Sequence, residues 1–355
     1  MDIFNIHLPV AGIEFNVLLL ILIGFCVGVI GGFFGVGGGW IITPALNIFG
    51  FHMAFAIGTG LSNIFGQSFG AINKHQRMGN IDWKLGFISI ISSILGFEIG
   101  SKIVITLEKA GDVGLIIRWC YVIFLAGLGM FMFYDYFILH PRQLKRIEKE
   151  LKTTAATELN SNYSGIVKRL HNITLPPMIS LPTSKIEAVS LWIILLVFLF
   201  TGFLSGLLGI GGGFIIMPAL VYLVGLPTIV AVGTSLITVF FISAYGCFMY
   251  ALDGRVELIA ACMMLIGASI GAQIGATAVK YIKGYGIRLL FAIMIILSGF
   301  SVVSEQVYKI TMNPVFQTLA GIILIGTAIT MVIIIIEKLV VERNKERKTY
   351  LKPTI

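Results

Sequence analysis

One nineteen-residue device occurs twice in this chain and limits what it can become: residues 28–46 read GVIGGFFGVGGGWIITPAL, and 174 positions later residues 202–220 read GFLSGLLGIGGGFIIMPAL. Each copy is an apolar run that enters a Gly-x-Gly-Gly-Gly break, at 35–39 or 209–213, and resumes as a short apolar segment containing Pro44 or Pro218. Glycine at that density stops a helix. Unwound backbone facing lipid would leave N–H and C=O groups unpaired at several kcal/mol each, so such a break must line a protein-walled cavity or meet a ligand. A matched pair of breaks in two halves of one chain therefore points to a binding site.

The setting is a membrane. The 355 residues are 57% hydrophobic and 12% charged, with several apolar runs of the length that spans a bilayer. The fold class expected is an all-α polytopic membrane protein. The first run, from Phe15, follows Asp2 and Glu14 without a basic leader or a small-x-small site, and reads as a retained helix rather than a signal peptide. The net charge of +8 is concentrated in eight basic residues between Arg142 and Lys185 and six between Lys338 and Lys352. That distribution orients a membrane protein and argues against nucleic-acid binding. Cys26, Cys120, Cys247 and Cys262 lack metal or redox spacing, and His7, His52, His75, His140 and His171 are dispersed, so no metal or other cofactor is expected. The histidine and cysteine pattern likewise offers no catalytic constellation.

Apolar runs predict helices near 16–34, 54–72, 84–106 and 114–138 with a short segment at 40–50, then 188–208, 228–250, 257–279 and 286–303 with a short segment at 214–224. A last helix at about 315–336 has no counterpart. The repeat continues beyond the glycines at an offset of 174 to 175: Gly58-Thr59 aligns with Gly233-Thr234, Gly79-Asn80-Ile81-Asp82 with Gly254-Arg255-Val256-Glu257, and Gly96 and Gly100 with Gly271 and Gly275. Four regions follow: a first transmembrane repeat (1–139), a polar linker (140–187), a second repeat (188–304), and an extra helix with a basic tail (305–355).

Lysines and arginines in short loops set the topology. Lys74, Arg77 and Lys84 flank a loop whose counterpart holds Asp253, Arg255 and Glu257, whereas the loop with Glu108, Lys109 and Asp112 has a counterpart with Lys280, Lys283 and Arg288. The bias swaps sides between halves, as in an inverted-topology repeat with re-entrant breaks. The amino terminus is then outside, and the linker and carboxyl terminus are cytoplasmic. Within the linker, Leu144, Ile147 and Leu151 among Arg142, Lys145, Arg146 and Lys149 suit an amphipathic helix on the membrane surface, and Pro176, Pro177 and Pro182 suit an extended connection. Asn172-Ile173-Thr174 matches a glycosylation sequon, read as chance on the cytoplasmic side.

The glycine runs fit neither dinucleotide-binding nor Walker spacing. What Gly37, Gly38 and Gly39, with Gly211, Gly212 and Gly213, supply is clustered backbone N–H groups at the start of a short helix, where oxyanions bind. Other glycines sit at small-xxx-small spacing and suit close helix packing: Gly24, Gly28 and Gly32; Gly96 and Gly100; Gly267, Gly271 and Gly275. Thr59, Asn63 and Gln67 share one helical face, and Thr234 and Thr238 repeat it; these side chains either complete an anion site or join helices. Glu98, opposite Gln273 in the repeat, is open to three readings: a proton-coupling carboxyl, a partner for Lys102, or an interfacial group. Arg118 and Arg288, near the starts of broadly equivalent helices, either attract anions at two mouths or snorkel to the interface.

With these residues in view the chain resembles the TauE/SafE sulfite exporter family. GGFFGVGGGWIITPAL and SGLLGIGGGFIIMPAL, GTGLSNIFG and GTSLITVFF, and GNIDW and GRVEL are similar to that family's repeated signature, over about 16–138 and 188–304. The resemblance implies a transporter of small sulfur-containing anions such as sulfite or organosulfonates in a bacterial or archaeal inner membrane. It leaves open which anion, the direction, the coupling ion, and a monomer or homodimer. The reading is a secondary anion transporter coupled to protons; the alternatives are an uncoupled anion channel and an intramembrane sulfur or thiol enzyme.

Overall fold

The structure is a computed structural model that describes residues 4–110, 113–139, 141, 175–184, 186–282 and 284–350. An antiparallel hairpin of β1 (Asn5–Leu8) and β2 (Ile13–Asn16) leads into α1 (Val17–Phe34), α2 (Gly39–Ile48), α3 (Met53–Arg77), α4 (Trp83–Ala110) and α5 (Val113–Tyr134), which continues as a π turn over Asp135–Leu139. A second hairpin, β3 (Met178–Leu181) and β4 (Ile186–Ser190), reopens the series. It continues as α6 (Leu191–Leu208), α7 (Gly213–Ala219) with a π turn at Leu220–Val224, α8 (Thr228–Leu252), α9 (Leu258–Ala278) and α10 (Gly284–Thr311). The unpaired α11 (Pro314–Tyr350) closes the chain. The amphipathic segment at 144–151, the sequon and Lys283 lie outside the described residues.

Among the described residues, eight helices are long and apolar enough to cross a bilayer. Their outer faces are apolar: Phe87, Ile91, Leu95, Ile99 and Ile103 recur every four residues along α4 and are exposed. That is the inverse of a water-soluble surface, and it makes the chain a multi-pass membrane protein. The 25-residue α3 carries too many polar side chains to read as such a span, yet Thr59, Asn63, Gln67 and Ser68 are all buried within the bundle.

The packing is reciprocal. α1 lies along α9, and α6, which repeats the α1 sequence, lies along α4, the counterpart of α9. The glycine stripes make these contacts. A Cβ on Gly24, Gly28 or Gly32 would run into the backbone of Met264, Ala268 or Ala272, and one on Gly202 or Gly206 into that of Ser93 or Phe97. α3 packs on its counterpart α8, and α5 on its counterpart α10.

Polar contacts sort the loops into two ends. At one, the backbone N–H groups of Val10 and Ala11 donate to Glu257 Oε2 at 2.8 and 3.0 Å, and Arg255 Nε lies 2.7 Å from Glu108 Oε2. At the other, the Ser184 hydroxyl donates to Asp82 Oδ2 at 2.7 Å, the Lys84 ammonium donates to Ser180 O at 2.8 Å, and Lys280 lies 3.8 Å from Glu346. α4 starts beside Asp82 and carries Glu108 in its last turn, and so joins the two ends, about 40 Å apart at a helical rise.

Three features exceed the sequence expectation. The two hairpins match at an offset of 173, so the repeat begins at Asn5 and Met178, inside the stretch assigned to the linker. α10 extends to Thr311 rather than 303 because Glu305 and Gln306 turn into the bundle. α11 runs to Tyr350 because the strong helix formers Glu, Lys and Arg carry it on past the apolar span.

Candidate functional site

α1 ends where Gly35 takes a left-handed conformation (φ 73°) and its N–H bonds back to Gly31 O at 2.9 Å; α6 ends in the same way at Gly209 (φ 66°), bonded to Ser205 O at 2.8 Å. Each short helix then starts behind a second left-handed glycine, Gly38 (φ 76°) for α2 and Gly212 (φ 84°) for α7. Side chains other than glycine rarely adopt that geometry, and this is why both copies need the glycine run.

The two breaks touch one another. A Cβ on Gly39 would stand 2.5 Å from the carbonyl oxygen of Ile210, and one on Gly213 2.5 Å from the Cα of Val36. Across the contact, Trp40 stacks on Phe214, its own counterpart in the repeat, with centroids 5.3 Å apart and planes at 24°. All ten residues of the two breaks are buried. Among the described residues, the N–H groups of Gly37, Gly38, Gly211 and Gly212 donate to no protein acceptor. Buried backbone donors in that state are rare in native proteins.

Side chains of the same character stand around them. Gln67 donates from Nε2 to Gly37 O, leaving its Oε1 without a partner, and neither amide atom of Asn63, one turn earlier on the same face, has one. Ile64 beside Asn63 contacts Gly37, Gly39 and Gly211. Trp40 Nε1 and Ser205 Oγ are also buried without partners, the latter 3.3 Å from where a Cβ on Gly212 would be. Donors outnumber acceptors here, so the arrangement suits a small group rich in acceptor oxygens.

The structure brings some of the expected residues to the breaks and engages others elsewhere. Gly37 to Gly39, Gly211 to Gly213, Asn63 and Gln67 converge. Thr59 and Thr234 accept at the starts of the opposite half's helices: the Thr59 hydroxyl from Glu257 N at 2.9 Å, the Thr234 hydroxyl from Asp82 N at 2.9 Å. Thr59 is about 12 Å along the helix from Gln67. Thr238 bonds to Ser89 Oγ at 2.6 Å. Glu98 lies 2.8 Å from Lys102 Nζ and accepts from the Tyr245 hydroxyl, so its carboxylate is held between α4 and α8. Arg118 and Arg288 reach inward to Gln306 and Asp135.

Two residues escaped the sequence reading. His75 continues the Asn63 and Gln67 stripe two turns further, is fully buried, and hydrogen-bonds through Nε2 with Gly32 O at 3.1 Å; extending the four-residue spacing would have found it. Glu305 is buried near the end of α10, where the apolar run had already thinned and no periodicity marked it. Among the described residues no cluster of His, Cys, Asp and Glu is able to hold a metal ion.

Comparison with known proteins agrees with this picture. Residues 20–302 match the family described as Sulfite exporter TauE/SafE. "Probable membrane transporter protein YunE" of Bacillus subtilis is 26% identical over 300 residues, covering 82% of this chain and 99% of the relative. A "Probable membrane transporter protein" of Methanocaldococcus jannaschii is 31% identical over 219 residues, covering 59% of this chain and 64% of the relative. No solved structure matches.

Proposed function

The chain belongs to the sulfite exporter TauE/SafE family, and from that premise we propose that it is a proton-coupled secondary transporter, working as an exporter, of small sulfur-containing anions such as sulfite or organosulfonates. The substrate binds at the crossing of the two glycine breaks. The observation that carries this reading is the set of buried N–H groups of Gly37, Gly38, Gly211 and Gly212, which have no acceptor. An oxyanion supplies acceptors for all of them without a formal positive charge, and Asn63 and Gln67 complete its shell.

Two inverted halves rocking about this crossing give alternating access. Support comes from the two hairpins, which occupy equivalent places in the repeat: the turn of the first bonds Glu257 at the start of α9, next to the Arg255 that pairs with Glu108 near the far end of α4, whereas the turn of the second bonds Asp82 at the start of α4. The end with Lys84 and Lys280 is cytoplasmic by its positive loops, with the amino terminus outside, in a bacterial or archaeal cytoplasmic membrane. Because the breaks are buried against each other, the halves must part for an anion to enter or leave. Coupling to protons needs a group that titrates within the spans. Glu98 is the candidate apparent from sequence, and Lys102 and Tyr245 would have to release it in each cycle.

The test is uptake of labelled sulfite into proteoliposomes with and without an imposed pH gradient, with sulfonates, thiosulfate and sulfate as competitors. Accumulation that collapses with the gradient is expected. Flux that only equilibrates would replace the carrier with a channel.

A further inference from the structure

α5 and α10 carry two arginine–carboxylate couples that the glycine breaks do not use. Arg288 stands 170 positions after Arg118 and Glu305 stands 170 after Asp135, so the couples are copies of one another. In one copy the charges meet: Arg288 Nη1 lies 3.1 Å from Asp135 Oδ2, which also accepts from the Tyr222 hydroxyl at 2.9 Å. In the other they do not. Arg118 donates from Nε to Gln306 Oε1 at 2.8 Å and from Nη1 to Asn47 Oδ1 at 3.3 Å, and makes no ion pair with Glu305. Glu305 is 3% exposed, neither carboxylate oxygen accepts a hydrogen bond, and it is held only by a long i,i+4 ion pair to the Lys309 ammonium, 3.8 Å from Oε1.

Arg118 and Glu305 line one small pocket with Thr43, Asn47 and Tyr121; at about 10 Å³ it has room for one water, so an anion fits only when its walls move apart. Two of its lining residues are tied to the end of α6 at the second break: the Thr43 hydroxyl donates to Gly209 O at 3.2 Å and the Tyr121 hydroxyl to Leu208 O at 2.7 Å. The charged and titratable groups facing Glu305 are Arg118 and Tyr121 from α5 and Lys309 from its own helix, while α2 contributes only the neutral Thr43 and Asn47. A buried carboxylate that accepts no hydrogen bond and has only a long ion pair gains stability by taking a proton or a closer partner.

We propose that this pocket is a second subsite on the transport path, where one small oxyanion binds together with one proton. The free guanidinium N–H groups of Arg118 hold the anion, and Glu305, protonated, donates its O–H to it. The proton comes from a hydronium ion of the solvent on the side to which the pocket opens, leaving water behind, and adds to a carboxylate oxygen; no electron changes hands. When anion and proton leave, Arg118 and Glu305 are free to close into the pair that Arg288 and Asp135 make. The proposal rests on the carrier reading above and supplies its coupling group.

The test is thermal unfolding of the purified full-length protein with sulfite and with sulfate, whose charge is constant between about pH 6 and pH 8. Wild type should be stabilised by at least one of them, with about tenfold higher apparent affinity at the lower pH. Glu305→Gln should bind equally at both pH values, and Arg118→Gln should weaken binding at least about tenfold; if that variant does not fold, Arg118→Lys, which lacks the planar fork, takes its place. Sulfite itself gains a proton in this range, so the pH comparison is read with sulfate or, where sulfate does not bind, with methanesulfonate; the proposal is overturned if no anion stabilises wild type, if the arginine variant keeps the full pH-dependent response of wild type, or if pH dependence with an anion of constant charge survives in Glu305→Gln. In proteoliposomes Glu305→Gln should exchange sulfite without accumulating it. Failure of the carrier reading would look different: anions would stabilise the protein through Arg118, yet wild type would move none.

Discussion

Trp40 stacks on Phe214 at 5.3 Å, and the two rings occupy the same position of the duplicated motif. A residue that meets its own copy lies close to the axis relating the halves. The glycine breaks flank this contact, so the place where the chain unwinds twice is also the place where the halves meet.

The closeness of that meeting predicts the cost of a methyl group. Gly39→Ala or Gly213→Ala puts a Cβ 2.5 Å from backbone atoms, which no rotamer change relieves. Each should lower stability by about 2–3 kcal/mol, read as a drop in the unfolding midpoint in detergent. Gly127→Ala is the control: nothing lies within 4 Å of its Cβ, and higher helix propensity should stabilise by up to about 1 kcal/mol.

Asn63 and Gln67 should separate stability from transport. The Asn63 amide has no partner while fully buried, so Asn63→Leu removes an unsatisfied group and should leave stability within about 1 kcal/mol of wild type or raise it. Transport should fall at least about tenfold, and Gln67→Leu should lose activity similarly. Loss of both folding and flux in parallel would assign these amides to packing.

Thr59 and Thr234 should behave oppositely. Thr59→Val leaves Glu257 N without its acceptor, and Thr234→Val does the same to Asp82 N. A loss of about 1–2 kcal/mol each is expected, with KM for transport unchanged. A raised KM at unchanged stability would return the hydroxyls to the binding site.

How legible this was depends on what each signal reports. The break, the helix order and the glycine stripes were readable because apolar length and small-residue spacing are one-dimensional properties. Whether Thr59 faces an anion or a neighbouring helix was not, because both uses place a hydroxyl on the same face of α3, and only the start of α9 at Glu257 decides what it touches. The hairpins were missed because four-residue strands such as Asn5–Leu8 and Met178–Leu181 leave almost no periodicity. Glu305 was missed because its isolation follows from Arg118 turning to Gln306 and Asn47, a choice made in three dimensions.

The inverted arrangement predicts that matching hairpin turns lie on opposite sides of the membrane. Val10 and Thr183 are equivalent and both exposed. In a background where Cys26, Cys120, Cys247 and Cys262 are replaced, Val10→Cys should react with an impermeant maleimide in intact cells, and Thr183→Cys only after the cells are opened. Labelling of both from one side would contradict the inversion.

The central claim is that the crossing of the two breaks holds the anion. Its most direct test is diffraction at the selenium edge from crystals of a cysteine-free variant soaked in selenite, an oxyanion close to sulfite in shape and charge. An anomalous peak between the N–H groups of Gly37 and Gly38 and those of Gly211 and Gly212 is predicted. Ordered crystals of a transport-competent protein showing no selenium at the crossing would contradict it.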